Sequence, residues 1–257
     1  MNRRTFIKTG ALFVPTIFVP KLIRATPANL NAAFFRGRVP VSGGGTGLPS
    51  GLISRWNFEE GSGSTANDSA GSNTGTLVNS PTYVAGKVGS FALSFAKASS
   101  QGVTVPYSAT LEPTQLTLAF WMKENGTPVA FDTLVSRKFD GTGFPYFCDL
   151  RGATNQQPAF GSYNGSVHFV VANTVLTTGT WYHIAGTFDG AAYKIYINGT
   201  LDNTLTDSTP LYLGSSLRLT IGCLDLSGTL SRFFDGTIDD VQIYNRALTA
   251  TEIASLP

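Results

Sequence analysis

Short runs of apolar or alternating residues, separated by Gly, Asn, Asp and Pro, recur along this chain from residue 53 onward. Each run has the length of a strand rather than of a helix. Because no helical pattern separates them, they predict an all-β fold in which two antiparallel sheets pack as a sandwich. The runs cover residues 53–58, 91–95, 103–105, 116–122, 146–150, 167–171, 181–188, 193–197, 217–221 and 238–244.

Two local signals add detail to this prediction. Asn198-Gly199 follows one run and precedes a stretch containing Leu and Thr, which predicts a tight hairpin turn. Near the end of the chain, Thr249 is a suitable N-cap and Glu252 stands three residues later, so the pair predicts a capping box. We therefore expect a short C-terminal helix within residues 249–256.

The first 25 residues have the pattern of an export signal. Arg3-Arg4 and Phe6 precede a modest apolar run at residues 11–20, and basic residues follow it before small ones. This pattern resembles a twin-arginine leader, with cleavage near residues 25–28. The apolar run is far shorter than the ~20 residues that a spanning helix needs, so we expect no membrane span in the mature chain. An ordinary secretory signal is the alternative.

Charge argues against nucleic-acid binding. The leader carries five basic residues and no acid, so its removal would change the net charge from +2 to −3. A protein that neutralises phosphates needs clustered Lys and Arg, and here the cluster would leave with the leader. We expect a mature protein in the periplasm, on the cell surface or outside a bacterium. Residues 26–50, which are rich in Gly and irregular, are predicted to be a linker or N-terminal arm.

Two cysteines, Cys148 and Cys223, lie in apolar strand-like runs. Export permits a disulfide between them, whereas folding before export would leave both as buried thiols. The sequence leaves both alternatives open. It excludes a thiolate zinc site, since there is no C-x-x-C pair.

Two adjacent acids, Asp239 and Asp240, interrupt the last strand-like run. Strict alternation would place Asp239 on the same face as Val241 and Ile243, and Asp240 on the opposite, solvated face. A carboxylate on an apolar face is costly unless it is hydrogen-bonded or binds a metal. We therefore expect Asp239 to have a partner.

Seven segments, taken in order, resemble the laminin-G-like, concanavalin A-like jelly-roll family, and together they cover residues 51–257. The resemblance implies a jelly-roll sandwich, a binding role, and a calcium ion near the sandwich edge. The segments lie at residues 56–63 (Trp-Asn-Phe-Glu-Glu-Gly-Ser-Gly), 68–77, 86–95, 116–122, 181–185, 196–199 and 235–253.

A calcium site is predicted from the loop at residues 68–75. Asp68 and Asn73 offer oxygen ligands there, and calcium takes six to eight of them. In similar proteins this loop lies beside the acidic C-terminal strand, so the resemblance implies Asp239 as a further ligand. The alternative without metal is that Asp68 forms an Asx-turn and Asp239 accepts backbone N–H bonds.

The sequence lacks the motifs of the familiar hydrolases. Glycosidases with this sandwich carry Glu-x-Asp on one strand, but none of the glutamates has an Asp two residues on. A Gly-x-Ser-x-Gly elbow is also missing, and His168 and His183 are expected to pack rather than catalyse. We therefore expect a protein that is not an enzyme, although carboxylates from distant segments could still meet in the fold.

Aromatic residues beside Gly, Pro or Asn are candidates for exposed loop tips that stack on sugar rings. Phe144, Tyr163 and Phe233 fit this description. Our main hypothesis is an exported, non-catalytic module that binds a glycan or another surface polymer, braced by calcium. The alternatives are an adhesive or structural domain that binds protein, and an atypical glycan-active enzyme.

Overall fold

Strands make up almost all regular structure in the computed structural model, which describes residues 47–126, 131–137, 141, 143–151, 156–213 and 218–257. The predicted leader and most of the predicted linker lie outside these ranges. The elements are β1 (Leu52–Trp56), β2 (Thr65–Ala66), β3 (Gly75–Val78), β4 (Thr82–Ala85), β5 (Phe91–Phe95), β6 (Gly102–Val105), β7 (Leu116–Glu124), β8 (Thr133–Arg137), β9 (Phe144–Arg151), β10 (Gln157–Tyr163), β11 (Val167–Val171), β12 (Trp181–Phe188), β13 (Ala192–Ile197), β14 (Thr200–Thr206), β15 (Leu219–Ile221), β16 (Leu224–Leu226), β17 (Thr229–Ser231), β18 (Gly236–Tyr244) and α1 (Ala250–Ala254).

Two large antiparallel sheets form the sandwich, and the all-β jelly-roll prediction is confirmed. Sheet A has the order β14-β13-β12-β7-β18-β5-β4, with β1 also paired to β18. Sheet B has the order β11-β10-β9-β8-β15-β6-β3-β2. Strands β16 and β17 form a separate two-stranded ribbon. Neighbours in each sheet are often distant in sequence, as in a jelly roll.

The main core lies between the two sheets and follows strand alternation. In β7, Leu116, Leu118, Phe120 and Met122 all point into it, as their spacing predicts. Sheet B contributes the same kind of alternating apolar residues, including Tyr146 of β9. Burial of this apolar surface is the main driving force for folding.

The two turn predictions are also confirmed. Asn198 and Gly199 both have positive φ, at 51° and 79°, and they join β13 to β14 as a tight hairpin. Thr249 caps α1, and both hydrogen bonds of the capping box with Glu252 are present. Leu248, just before the helix, and Ile253, within it, form an apolar cluster with Tyr244 on the outer face of sheet A. Among the described residues, no helix is long and apolar enough to cross a membrane.

Both cysteines are buried free thiols. Cys148 belongs to β9 and Cys223 follows β15, and the disulfide that the sequence allowed is not formed. Burial raises the pKa of the Cys223 thiol to about 12, and it also raises the pKa of Cys148. Neither thiol is therefore suited to act as a nucleophile.

Candidate ligand-binding face

The outer face of sheet B carries rows of side chains across β9, β10 and β11. Tyr146 and Cys148 point into the core, so alternation directs Phe147 outward. Phe147 is paired with Gly161 of β10, which is in turn paired with Phe169 of β11. Directly paired residues share a face, and the rings of Phe147 and Phe169 lie 6.5 Å apart over the glycine.

Gly161 permits this arrangement because nothing larger fits there. A Cβ at this position would lie 2.1 Å from the carbonyl oxygen of His168 and 2.4 Å from the Cβ of Phe169. The glycine therefore lets β10 and β11 approach closely and leaves a hollow between the two rings.

A second row lies next to the first. Tyr163 is paired with Phe144 on one side and with Val167 on the other. The ring of Phe144 lies 5.8 Å from that of Phe147 and 6.4 Å from that of Tyr163, and both pairs meet edge to face. The two rows thus form one continuous aromatic surface.

These rows line a pocket of about 390 Å³, which we call the aromatic pocket. Its size is within the range of sites for small ligands. Val167, Leu226 and Phe131 are large apolar residues with 53%, 41% and 39% of their surface exposed, and they stand at its rim. The lining residues are Phe131, Phe144, Phe147, Arg151, Tyr163, Val167, Leu226 and Arg232.

Arg151 is held in place by aromatic rings and by an ion pair. Its guanidinium lies 4.1 Å from the ring centre of Phe169, 5.0 Å from Phe131 and 5.1 Å from Phe147. It also donates to both carboxylate oxygens of Asp149, at 2.7 Å and 3.0 Å. Burial raises the pKa of Asp149, and the hydrogen bonds from Arg151 oppose that rise. Arg151 therefore serves as a flat, rigid part of the pocket wall.

Two of the three predicted ligand-binding residues, Phe144 and Tyr163, line the aromatic pocket. The third, Phe233, is half-buried and is not among the lining residues, although its neighbour Arg232 is. Sequence reasoning missed Phe131, Phe147 and Arg151. Phe147 and Arg151 alternate with core residues along β9, so a strict two-residue period would have found them.

The acid pair in β18 does not follow the predicted alternation. Ile238, Val241 and Ile243 point into the core, which is possible only because a bulge lies between Asp239 and Gln242. Asp240 adopts a left-handed conformation with φ of 49°. As a result, Asp239 does not share a face with Val241, and that prediction was wrong.

Asp240 is not the solvated neighbour that alternation predicts, because it is only 1% exposed. Its carboxylate accepts hydrogen bonds from Arg55 Nε at 2.5 Å and from Gln242 Nε2 at 2.7 Å. Gln242 Oε1 then accepts from the hydroxyl of Tyr244 at 2.6 Å. This polar ladder connects β18 with β1 on the outer face of sheet A.

Asp239 has the hydrogen-bonded partner that its burial requires. It is paired with Trp121 of β7, and its Oδ2 accepts the backbone N–H groups of Lys87 and Val88 at 2.7 Å and 2.8 Å. Its other oxygen, Oδ1, is buried and has no hydrogen-bond partner. Burial raises the pKa of Asp239 to about 6.

Asp68 and Asn73, the other two predicted metal ligands, are brought together in their loop. Asp68 Oδ1 accepts the N–H groups of Arg55, Ala70 and Gly71 at 2.8–3.0 Å, and Oδ2 accepts that of Asn73 at 2.9 Å. These bonds lower the pKa of Asp68 although its burial acts to raise it.

The side-chain amide of Asn73 donates to Ser54 Oγ at 2.7 Å and to Thr110 Oγ1 at 3.1 Å. Asp68 and Asn73 are thus tied to β1 and to Thr110, whereas Asp239 accepts from the backbone at Lys87 and Val88. The described residues contain no group of three or more His, Cys, Asp or Glu side chains placed to hold a metal ion. Calcium binding by Asp68, Asn73 and Asp239 stays a prediction.

One group of acids does come together from distant segments. Glu124 ends β7 and is only 3% exposed, and its Oε2 is a buried atom with no hydrogen-bond partner. Burial and the negative charges of Asp132 and Asp235 raise the pKa of Glu124 to about 7, while nearby Lys97 lowers it. Lys97 forms an ion pair with Asp132.

The histidines lie apart from these acids. His168 Nδ1 is 2.7 Å from Asp207 Oδ2, and Nε2 is 3.0 Å from Asn164 Oδ1. His183 is 5% exposed and packs beside the ring of Trp121, and burial lowers its pKa to about 4. His183 packs as expected, whereas His168 is held by hydrogen bonds.

A family model described as the concanavalin A-like lectin/glucanases superfamily, of laminin G type, matches residues 97–254. The match covers more than half of the chain, so the protein belongs to this superfamily. Comparison with curated proteins finds no match.

Solved structures share the fold at low sequence identity. Domain 4 of AbnA, an extracellular arabinanase from Geobacillus stearothermophilus in complex with arabinotriose, has a TM-score of 0.63 and 22% identity, over 79% of this chain and 96% of that one. Trypanosoma rangeli sialidase has a TM-score of 0.58 and 16% identity, over 81% of this chain and 32% of its own. The binding domain of botulinum neurotoxin DC in complex with SialylT has a TM-score of 0.60 and 13% identity, over 80% and 50%. This chain therefore spans about a third of the sialidase and half of the toxin domain.

Proposed function

We propose that this protein is an exported, non-catalytic binding module that holds a glycan or another surface polymer in the aromatic pocket. The observation that carries the proposal is the pair of aromatic rows on the outer face of sheet B. Sugar rings have apolar C–H faces that stack on aromatic side chains, and here Phe144, Phe147, Tyr163 and Phe169 offer such a surface on a rigid sheet.

Two of the similar structures support a glycan as the ligand. Domain 4 of AbnA is in complex with arabinotriose, and the toxin binding domain is in complex with SialylT. The first of them belongs to an extracellular protein, which agrees with the predicted export of this chain.

Calorimetric titration with arabinotriose and with other short oligosaccharides tests the proposal. Phe144→Ala and Tyr163→Ala should each weaken binding of a sugar by about tenfold, because each removes one stacking ring. Phe91→Ala is the matched control, since Phe91 is also a part-exposed ring but lies in sheet A. Sugar binding that survives both pocket variants unchanged would place the site elsewhere.

Protein binding is the second candidate, and the apolar rim favours it. Val167, Leu226 and Phe131 together expose the kind of surface that anchors protein partners. Failure of every sugar to bind, together with capture of a cell-surface protein that is lost in Leu226→Ser, would support this adhesive role instead.

The third candidate is a glycan-active enzyme, and Glu124 is the observation that favours it. A carboxyl with a pKa near 7 beside other acids has the properties of a general acid. However, a proton donor must reach the glycosidic oxygen, and Glu124 is almost completely buried. Release of reducing sugar from a polysaccharide, abolished in Glu124→Gln, would overturn the non-catalytic proposal.

A further inference from the structure

The two arginines of the aromatic pocket differ in their charge partners. Arg151 is neutralised by both oxygens of Asp149 and is covered by three rings. No ion pair within the described residues includes Arg232. Arg232 also lies within the electrostatic reach of Asp149 and acts to lower the pKa of that carboxyl, but the ion pair of Asp149 is with Arg151, so the guanidinium of Arg232 can still form an ion pair with a ligand.

The position of Arg232 directs it to the pocket rather than to bulk solvent. Its guanidinium lies 4.8 Å from the ring centre of Phe131, which is itself a lining residue. Its backbone is anchored, because its carbonyl oxygen accepts the N–H of Thr133 at 3.0 Å. Because its backbone is fixed, the exposed side chain of Arg232 can place its planar guanidinium at the rim of the aromatic pocket.

The pocket surroundings strengthen the effect of this charge. Apart from the two arginines, the lining residues are uncharged, and all but Tyr163 are apolar. With Asp149 compensating one arginine, the pocket keeps a net charge of one positive unit. Apolar walls screen a charge less than water does, so an anionic ligand is favoured there over a neutral one.

We propose that the aromatic pocket selects sugars that carry a carboxylate, with the sugar ring stacked on the aromatic rows and the carboxylate bound by Arg232. This inference rests on the proposed function and names its ligand class. The guanidinium fork matches the two carboxylate oxygens in plane, which a hydroxyl group cannot reproduce.

The test compares each acidic sugar with its methyl ester, which removes the charge and keeps the sugar rings. Trigalacturonate and its methyl ester form one pair, and sialyllactose and its methyl ester form another. Calorimetric titration should show at least one acidic member binding about tenfold or more tightly than its neutral partner, which is the effect expected of one charge-assisted contact. The preference should fall as NaCl is added, because salt screens an exposed charge.

Three variants test whether Arg232 causes the preference for the acidic ligand. Arg232→Gln should reduce it to about twofold or less, and Arg232→Lys should keep part of it. Lys194→Gln removes the same charge from the outer face of sheet A, so it should leave the preference unchanged. Circular dichroism should confirm that each variant is folded.

The outcomes separate the two proposals. Equal affinity within both ligand pairs, or a preference that Arg232→Gln leaves intact, overturns the carboxylate inference, while sugar binding that depends on Phe144 keeps the pocket as the site. Absence of binding by all four ligands and by arabinotriose overturns both proposals.

Discussion

The two outer faces of this sandwich carry different kinds of side chain. On sheet A, the buried polar groups Asp239, Asp240 and Gln242 are paired with neighbours, and α1 contributes to an apolar cluster. On sheet B, the strands β9–β11 direct aromatic rings outward around an open pocket. Buried polar residues in a strand can therefore stabilise the fold, whereas exposed apolar residues on an outer face support the proposed binding.

The largest loss of stability is expected from a variant that breaks the polar ladder of sheet A. Asp240→Ala would leave the Arg55 guanidinium and the Gln242 amide without their acceptor, and it would force alanine into a left-handed backbone. We expect a loss of about 3 kcal/mol in the free energy of unfolding, measured in urea.

Asp240→Asn is the control for that variant, because asparagine accepts hydrogen bonds and tolerates the left-handed backbone. It should lose clearly less stability than Asp240→Ala. A loss below about 1 kcal/mol in the alanine variant would mean that the ladder is not important for stability.

The next prediction concerns the Asp68 loop and calcium. Asp68→Asn replaces a carboxylate that accepts four backbone N–H groups, so we expect a loss of about 1–2 kcal/mol. The loss should be equal in calcium and in a chelator if hydrogen bonds alone are responsible. A midpoint of thermal unfolding that rises with calcium in the natural protein, and not in the variant, would instead support the predicted ion.

On the other face, Phe169→Ala should affect binding more than stability. The ring of Phe169 is half-buried and supports both Phe147 and the Arg151 guanidinium. We expect sugar affinity to fall about tenfold, with a loss in unfolding free energy of about 1 kcal/mol. The reverse outcome, a large loss of stability with intact binding, would make the rings of sheet B structural like the ladder of sheet A.

The smallest effect is expected at Glu124, the last residue of β7. Its pKa in the folded protein, about 7, is above its ordinary value of 4.5. The folded state therefore binds the proton more tightly, and this group lowers stability as pH rises from about 4.5 to 7. Glu124→Gln should raise stability at pH 8 by about 1 kcal/mol and flatten its decline over that range. Equal stability of both proteins at pH 8 would contradict the raised pKa.

Much of the fold could be predicted from local pattern. The bounds of β5, β11 and β12 agree with the apolar runs, because these strands have clear turn residues at both ends. Strand β3 was missed, since Gly75–Val78 contains few buried apolar residues. It pairs with β6, which is distant in sequence, and a local pattern does not record such pairing.

The site was predicted less completely. Phe144 and Tyr163 were found because loop-forming residues stand next to them, but the pocket also needs Arg151, Phe131 and Arg232 from three separate segments. Backbone hydrogen bonds from Phe131 to Leu150 and from Thr133 to Arg232 bring these segments together. In β18, alternation failed at a single residue, because the bulge at Asp240 reverses the direction of the side chains that precede it.

The placement of the tryptophans has a practical consequence for spectroscopy. All three belong to sheet A, with Trp56 in β1, Trp121 in β7 and Trp181 in β12. The residues that line the aromatic pocket of sheet B include tyrosine and phenylalanine but no tryptophan. Indole fluorescence of the unlabelled protein therefore follows sheet A, and a ligand in the aromatic pocket would touch no indole.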